Sequence, residues 1–112
     1  MLNKMIEMKN LPDPLRKRGL DKRLTKICEE NDVVFLALFG SFVRGDYRED
    51  SDIDIAILYD DEKSKSLFDL IELEENLTQL LGRKVDVGIF DTISPYVIEE
   101  VKKEMKIIYE KR

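Results

Sequence analysis

The chain has 112 residues, of which 43% are hydrophobic and 38% charged, and this balance favours one globular domain. It has one cysteine and no histidine, which excludes an internal disulfide, His-ligated metals and Ser-His or Cys-His nucleophile pairs. The net charge of −5 argues against generic nucleic-acid binding through phosphate contacts, and no apolar run reaches the ~18 residues that a membrane span needs. We therefore expect one cytoplasmic domain over residues 1–112, with a flexible N-terminal extension as one interpretation of residues 1–12.

The first predicted helix begins at Asp13-Pro14, read as an N-cap followed by proline at the first helical position, and ends near Asn31. The residues that share its apolar face are Leu20, Leu24, Ile27 and Cys28. The next run, Val33 to Phe39, is continuously apolar and stops at Gly40, which is typical of a buried strand.

A short turn or helical start is expected from Ser41 to Gly45. A second strand follows from Ile53 to about Tyr59, because apolar residues alternate with Asp52, Asp54 and Ala56. One face of this strand is therefore apolar, while the other begins with two carboxylates.

The longest predicted helix starts after Ser66 and stops at Gly82, with a leucine stripe at helical spacing. A third strand spans Val85 to Phe90. Ser94-Pro95 opens a last helix, and Ile107 to Tyr109 adds a short final strand. The residues of this last helix that are predicted to face inward are Val97, Ile98, Val101 and Met105. The fold class is thus α+β, with a small mixed β-sheet covered by helices on one face.

The spacing of Asp52 and Asp54 predicts chemistry at the start of the second strand. Residues i and i+2 of a strand point to the same face, so both carboxylates project together. Mg²⁺ takes hard oxygen ligands and usually binds through one or two carboxylates plus substrate phosphates. The pair therefore indicates a site for Mg²⁺ and a nucleoside triphosphate; a polar strand edge exposed to solvent is the alternative.

Asp86 lies in the third strand, where Val85 and Val87 would point the opposite way into the core. If this strand pairs beside the second, a third carboxylate joins Asp52 and Asp54. Three such groups support two metal ions ~3.5–4 Å apart. Asp86 is then expected to be the general base or a ligand to the metal beside the nucleophile.

Gly40 and Ser41 stand where the first strand turns into a helical start. Glycine lets the backbone approach a phosphate closely, and Ser41 and the amides after it can donate to phosphate oxygens. Arg44, one turn later, can reach the same phosphates with its planar guanidinium. Helix capping by Ser41 and an ion pair of Arg44 with Asp46 or Glu49 remain alternatives.

The stretch Leu38–Gly45, continuing to Ser51-Asp52-Ile53-Asp54-Ile55, resembles the signature of DNA polymerase β-like nucleotidyltransferases, and more narrowly of the prokaryotic minimal nucleotidyltransferases. The resemblance implies that Gly40 and Ser41 hold the nucleoside triphosphate and that Asp52 and Asp54 bind Mg²⁺. It also implies a third carboxylate on a later strand, matched by Asp86.

Members of that family are similar to antitoxins that pair with a separate HEPN-domain toxin, and some adenylylate a tyrosine of that toxin. The resemblance therefore implies transfer of AMP from ATP to a partner protein. Two alternatives stay open: an antitoxin that neutralises its partner by contact alone, and a transferase that acts on a small acceptor.

Overall fold

A computed structural model describes residues 4–111. Their strands are β1 (Lys4–Ile6), β2 (Val33–Phe39), β3 (Ile53–Tyr59), β4 (Val85–Ile89) and β5 (Lys106–Lys111). Their helices are α1 (Leu20–Glu30), α2 (Ser41–Arg44), α3 (Leu67–Leu81) and α4 (Pro95–Glu104). The strands form one mixed sheet in the order β1-β5-β2-β3-β4, in which only β3 and β4 pair in parallel among the described residues. The predicted α+β class is confirmed.

The core lies between one face of the sheet and the two longer helices. Leu36 and Leu38 of β2 pair with Ile57 and Ile55 of β3, so these four side chains share a face, and all are buried. Helices α1 and α3 pack against this face and each other. The helical residues that complete the core include Leu24, Cys28, Leu73 and Leu77. Burial of this continuous apolar set is the main stabilising term of the fold.

Helix α3 has well-defined ends and also protects the edge of the sheet. Ser66 and Asp69 form a reciprocal capping box at its start, and Gly82 ends it with a φ of +72°. On the outer edge of β4, the Val85 N–H donates to Thr78 Oγ1 at 3.0 Å. Side chains of α3 thus take the place of a neighbouring strand, which disfavours pairing with another chain.

The predicted start of the first helix is wrong, although its predicted end at Asn31 is confirmed. Asp13–Leu15 forms a short 3-10 helix whose N-cap is Pro12, and α1 begins only at Leu20. Gly19 separates the two with a φ of +75°. This left-handed residue changes the chain direction, so that Leu15 and Leu20 both reach the core.

Segments near both ends of the chain contribute strands to the sheet. Residues 4–12 contribute β1, which pairs with β5, and the buried Leu11; residues 1–3 of the expected N-terminal extension lie outside the described residues. The final strand is longer than predicted and lies between β1 and β2.

The predicted inward placement of Val97 in α4 is wrong, because its side chain is 49% exposed. Within residues 4–111, no helix is both long and apolar enough to cross a bilayer.

Candidate active site

Three aspartates lie at one end of the sheet, on the face opposite the core helices. Asp54 pairs directly with Asp86 in the parallel register of β3 and β4, so the two carboxylates project to the same side. Asp52 stands two residues before Asp54, and Ile53 between them is fully buried on the other face. The fold therefore brings the three predicted aspartates to one surface.

Electrostatics at this surface favour a bound cation. The pKa of Asp54 is raised above its ordinary value, first by burial and then by the negative charges of Asp86 and Asp52. Lys84 neutralises little of this charge, because its Nζ lies 3.8 Å from Asp52 and both side chains are substantially exposed. The donor set of hard carboxylate oxygens fits Mg²⁺. Among residues 4–111, however, no three acids converge into a ready-made metal cluster.

Gly40 joins β2 to α2 in direct contact with Asp54. Phe39, its predecessor, is the β2 residue paired with Asp54. Gly40 has φ +78° and ψ −153°, a region that is essentially open only to glycine. A Cβ at Gly40 would collide with Asp54 Oδ2 and lie 3.1 Å from its Cγ. Glycine is thus required here both by the backbone and by the neighbouring carboxylate.

Ser41 and Arg44 are the first and last residues of α2, one turn apart. Gly40, not Ser41, is the N-cap, and no side-chain capping bond forms, so the alternative in which Ser41 caps the helix is wrong. Arg44 pairs with Asp46 at 3.4 Å, as its alternative interpretation anticipated, but its closer partner is Glu104. Arg44 lines the same groove as Asp54.

Glu104 at the end of α4 was not predicted as a site residue. Its Oε1 accepts a 2.5 Å hydrogen bond from the Gly40 N–H. Arg44 Nη1 donates to Oε1 at 3.1 Å and to Oε2 at 3.2 Å. The chain thus folds an acid from 64 residues away onto its expected phosphate-binding segment. No local sequence pattern carries this information, because the contact depends on where α4 ends.

An open groove of about 300 Å³ lies between α4 and this end of the sheet. Its apolar lining comes from Phe39, Val97 and Val101, and its charged lining from Asp54, Arg44, Glu100 and Glu104. This volume lies at the lower end of the range found for ligand pockets. The exposed position of Val97, which the helical periodicity failed to predict, places it on the rim of this groove.

Arg83, which was not predicted as a site residue, holds the loop that leads into Asp52. Its Nη1 donates to the carbonyl oxygens of Arg48 at 2.8 Å and Glu49 at 2.9 Å. Its guanidinium lies 5.0 Å from the centroid of the Phe42 ring, a cation–π distance. One side chain therefore ties residues 48–49 to α2.

Comparison with known proteins identifies the fold and the family. Residues 22–112 match the polymerase β nucleotidyltransferase family. A protein adenylyltransferase, MntA, of Thermococcus cleftensis is 43% identical over 70 residues, which cover 62% of this chain and 69% of that protein.

Two solved structures share the fold. A candidate minimal nucleotidyltransferase superposes with a TM-score of 0.67 at 30% identity, covering 80% of this chain and 89% of its own. A toxin–antitoxin complex solved with AMP-PNP gives a TM-score of 0.64 at 26% identity, covering 78% of this chain and 70% of that one.

The family match includes the Gly40–Arg44 segment and all three aspartates. The family match and the acidic surface beside the Gly40 turn together show the family. The chain belongs to the polymerase β-like nucleotidyltransferases, within their minimal nucleotidyltransferase group.

Proposed function

We propose that this chain transfers AMP from ATP to a hydroxyl of a partner protein, and that it acts as the antitoxin of a toxin–antitoxin pair. In this proposal Asp52, Asp54 and Asp86 hold Mg²⁺, while Gly40 and Ser41 bind the triphosphate with Arg44. The observation that carries the proposal is the pairing of Asp54 with Asp86 beside a backbone turn that only glycine can form.

The electrostatics of the site support metal-assisted nucleotide binding. The raised pKa of Asp54 reflects burial together with two neighbouring negative charges, and a divalent cation would remove that repulsion. Such an ion, when bound, supplies charge neutralisation at the transferring phosphate and lowers the pKa of a nucleophile next to it.

The transfer itself requires a simple exchange of bonds. The acceptor oxygen forms a bond to the α-phosphorus of ATP, the bond to the pyrophosphate oxygen breaks, and pyrophosphate leaves. The acceptor proton passes to a carboxylate, for which Asp86 is the proposed base, since it is the most exposed of the three. In this proposal Arg44 and the Gly40 amide hold the negative charge of the phosphates.

The acceptor is proposed to come from a partner, a HEPN-domain toxin, with tyrosine as the modified residue. The related MntA is named a protein adenylyltransferase, and the AMP-PNP-containing neighbour is a toxin–antitoxin complex. The open groove of about 300 Å³ beside Asp54 is consistent with an acceptor supplied by another surface, because nothing in the described residues encloses it.

Incubation with the candidate toxin, Mg²⁺ and ATP labelled at the α-phosphate tests this proposal. We expect label on the toxin, no label when the γ-phosphate is labelled instead, and loss of labelling in Asp54→Asn. Asp91→Asn is the matched control, since it removes an exposed carboxylate in the short 3-10 helix after β4. It should transfer normally.

Two other outcomes of this assay would contradict AMP transfer and favour a different function. A tight complex that forms without any transfer of label would favour neutralisation by contact alone. Label that appears from the γ-phosphate would indicate a kinase reaction and would contradict the proposed chemistry.

A further inference from the structure

Glu104 binds the two hydrogen-bond donors, the Gly40 amide and the Arg44 guanidinium, that the proposed function assigns to a nucleotide phosphate. Its Oε1 accepts from the Gly40 N–H, and both of its carboxylate oxygens accept from Arg44 Nη1. The Glu104 side chain is 25% exposed, against 51% for Arg44. An anion from the chain itself therefore fills the position between a backbone amide and a guanidinium.

This arrangement differs from an ordinary surface ion pair. Arg44 already has a second acid, Asp46, within 3.4 Å, so Glu104 is not needed to neutralise it. Glu104 also adds negative charge beside Asp54, whose pKa it helps to raise. A carboxylate placed among like charges is held by its two donors, and any phosphate that uses those donors must first displace it.

We propose that Glu104 sets the affinity of the site for nucleotide by competing, as an internal anion, with a nucleotide phosphate for the Gly40 amide and Arg44. The inference rests on the proposed function, since it assumes that these donors bind phosphate. It places the end of α4 in two positions: against Gly40 without nucleotide, and displaced from it when nucleotide is bound. Removal of an acid that lines the site is therefore expected to strengthen nucleotide binding.

Titration calorimetry with Mg²⁺ and AMP-PNP measures this effect directly on the whole chain. We expect Glu104→Ala to bind about five- to tenfold more tightly than the wild type, and Glu104→Gln to show a smaller gain. Glu100→Ala is the matched control. Glu100 lies on the same helix and lines the same groove, and among residues 4–111 it makes no hydrogen bond or ion pair with Gly40 or Arg44.

A double-variant comparison separates competition from a general change in charge. In an Arg44→Ala background, the competitor and the phosphate both lose the guanidinium, so the gain from Glu104→Ala should shrink markedly. An equal gain in Glu100→Ala, or an undiminished gain without Arg44, would point to charge alone and overturn the competition.

Weaker or unchanged binding by Glu104→Ala, with normal binding by the wild type, would show that Glu104 orients Arg44 instead and would overturn this inference alone. Absence of Mg²⁺-dependent binding by the wild type and by Glu104→Ala would overturn the proposed function together with it. The two failures are therefore distinguishable in one set of titrations.

Discussion

Substitution of Gly40 by alanine is the sharpest single perturbation of the site. The new Cβ would collide with Asp54 Oδ2 and lie 3.3 Å from Asp54 Cβ. The backbone conformation, φ +78° and ψ −153°, is also unfavourable for any residue with a side chain. The substitution therefore strains the chain and displaces a proposed metal ligand at the same time.

The two effects have different sizes. A residue with a Cβ in this backbone region costs about 1–3 kcal/mol. The clash with Asp54 is expected to add about 1 kcal/mol, because the half-buried carboxylate can swing partly away, so we expect a total loss of about 2–4 kcal/mol in the free energy of unfolding. A carboxylate moved by about 1 Å is expected to lower the rate of AMP transfer about 100-fold or more.

Urea unfolding followed by circular dichroism, together with the transfer assay, measures both effects. Gly19→Ala is the matched control, because Gly19 has a similar φ of +75° but no atom within 4 Å of its added Cβ. It should lose about 1 kcal/mol and keep full activity. In an Asp54→Ala background, the cost of Gly40→Ala should fall, since most of the clash is removed.

A Gly40→Ala variant that lost no more stability than Gly19→Ala and transferred AMP at the wild-type rate would refute the role assigned to Gly40. An equal cost of Gly40→Ala with and without the Asp54 carboxylate would also refute it, because the strain would then lie in the backbone alone.

Substitutions at Asp54, Arg83 and Thr78 test three other contacts of the fold. The pKa of Asp54 is raised in the folded protein, so ionised Asp54 destabilises the fold at any pH above its unfolded pKa. Without metal, Asp54→Asn should therefore raise the thermal unfolding midpoint at pH 7. This stabilisation should shrink as the pH falls through the folded pKa of Asp54. Arg83→Ala should lower the free energy of unfolding by about 1–2 kcal/mol and speed amide hydrogen exchange in residues 46–52. Arg83→Lys should restore only part of the lost stability, because lysine keeps the charge but not the planar guanidinium. Unchanged exchange would contradict the proposed role of Arg83 in holding this loop. Thr78→Val removes the acceptor for the Val85 N–H and should lower the free energy of unfolding in urea by about 1 kcal/mol, whereas a neutral effect would show that water replaces it.

Much of the fold could be predicted because its central elements carry strong periodic signals. The apolar run of β2 ends at Gly40, the alternation of β3 begins after Asp52, and both strands were predicted with their observed bounds. The capping residues of α3, Ser66 and Gly82, were likewise visible. In each case local chemistry and the tertiary structure favour the same conformation.

The remaining features depend on contacts between distant parts of the chain. The start of α1 at Leu20 follows from the left-handed Gly19, which the helical periodicity around it concealed. β1 exists through its pairing with β5, about a hundred residues later. The meeting of Glu104 with Gly40 depends on the length and direction of α4. Local propensity carries no record of such pairings.

Crystals grown with Mn²⁺ in place of Mg²⁺ and with AMP-PNP would test the central claim most directly, through the anomalous scattering of the metal. We expect an anomalous peak within coordination distance, roughly 2.0–2.3 Å, of the carboxylates of Asp52 and Asp54, beside phosphates bound at Gly40 and Ser41. Bound nucleotide with no metal peak at these carboxylates, or a metal bound elsewhere on the chain, would contradict it.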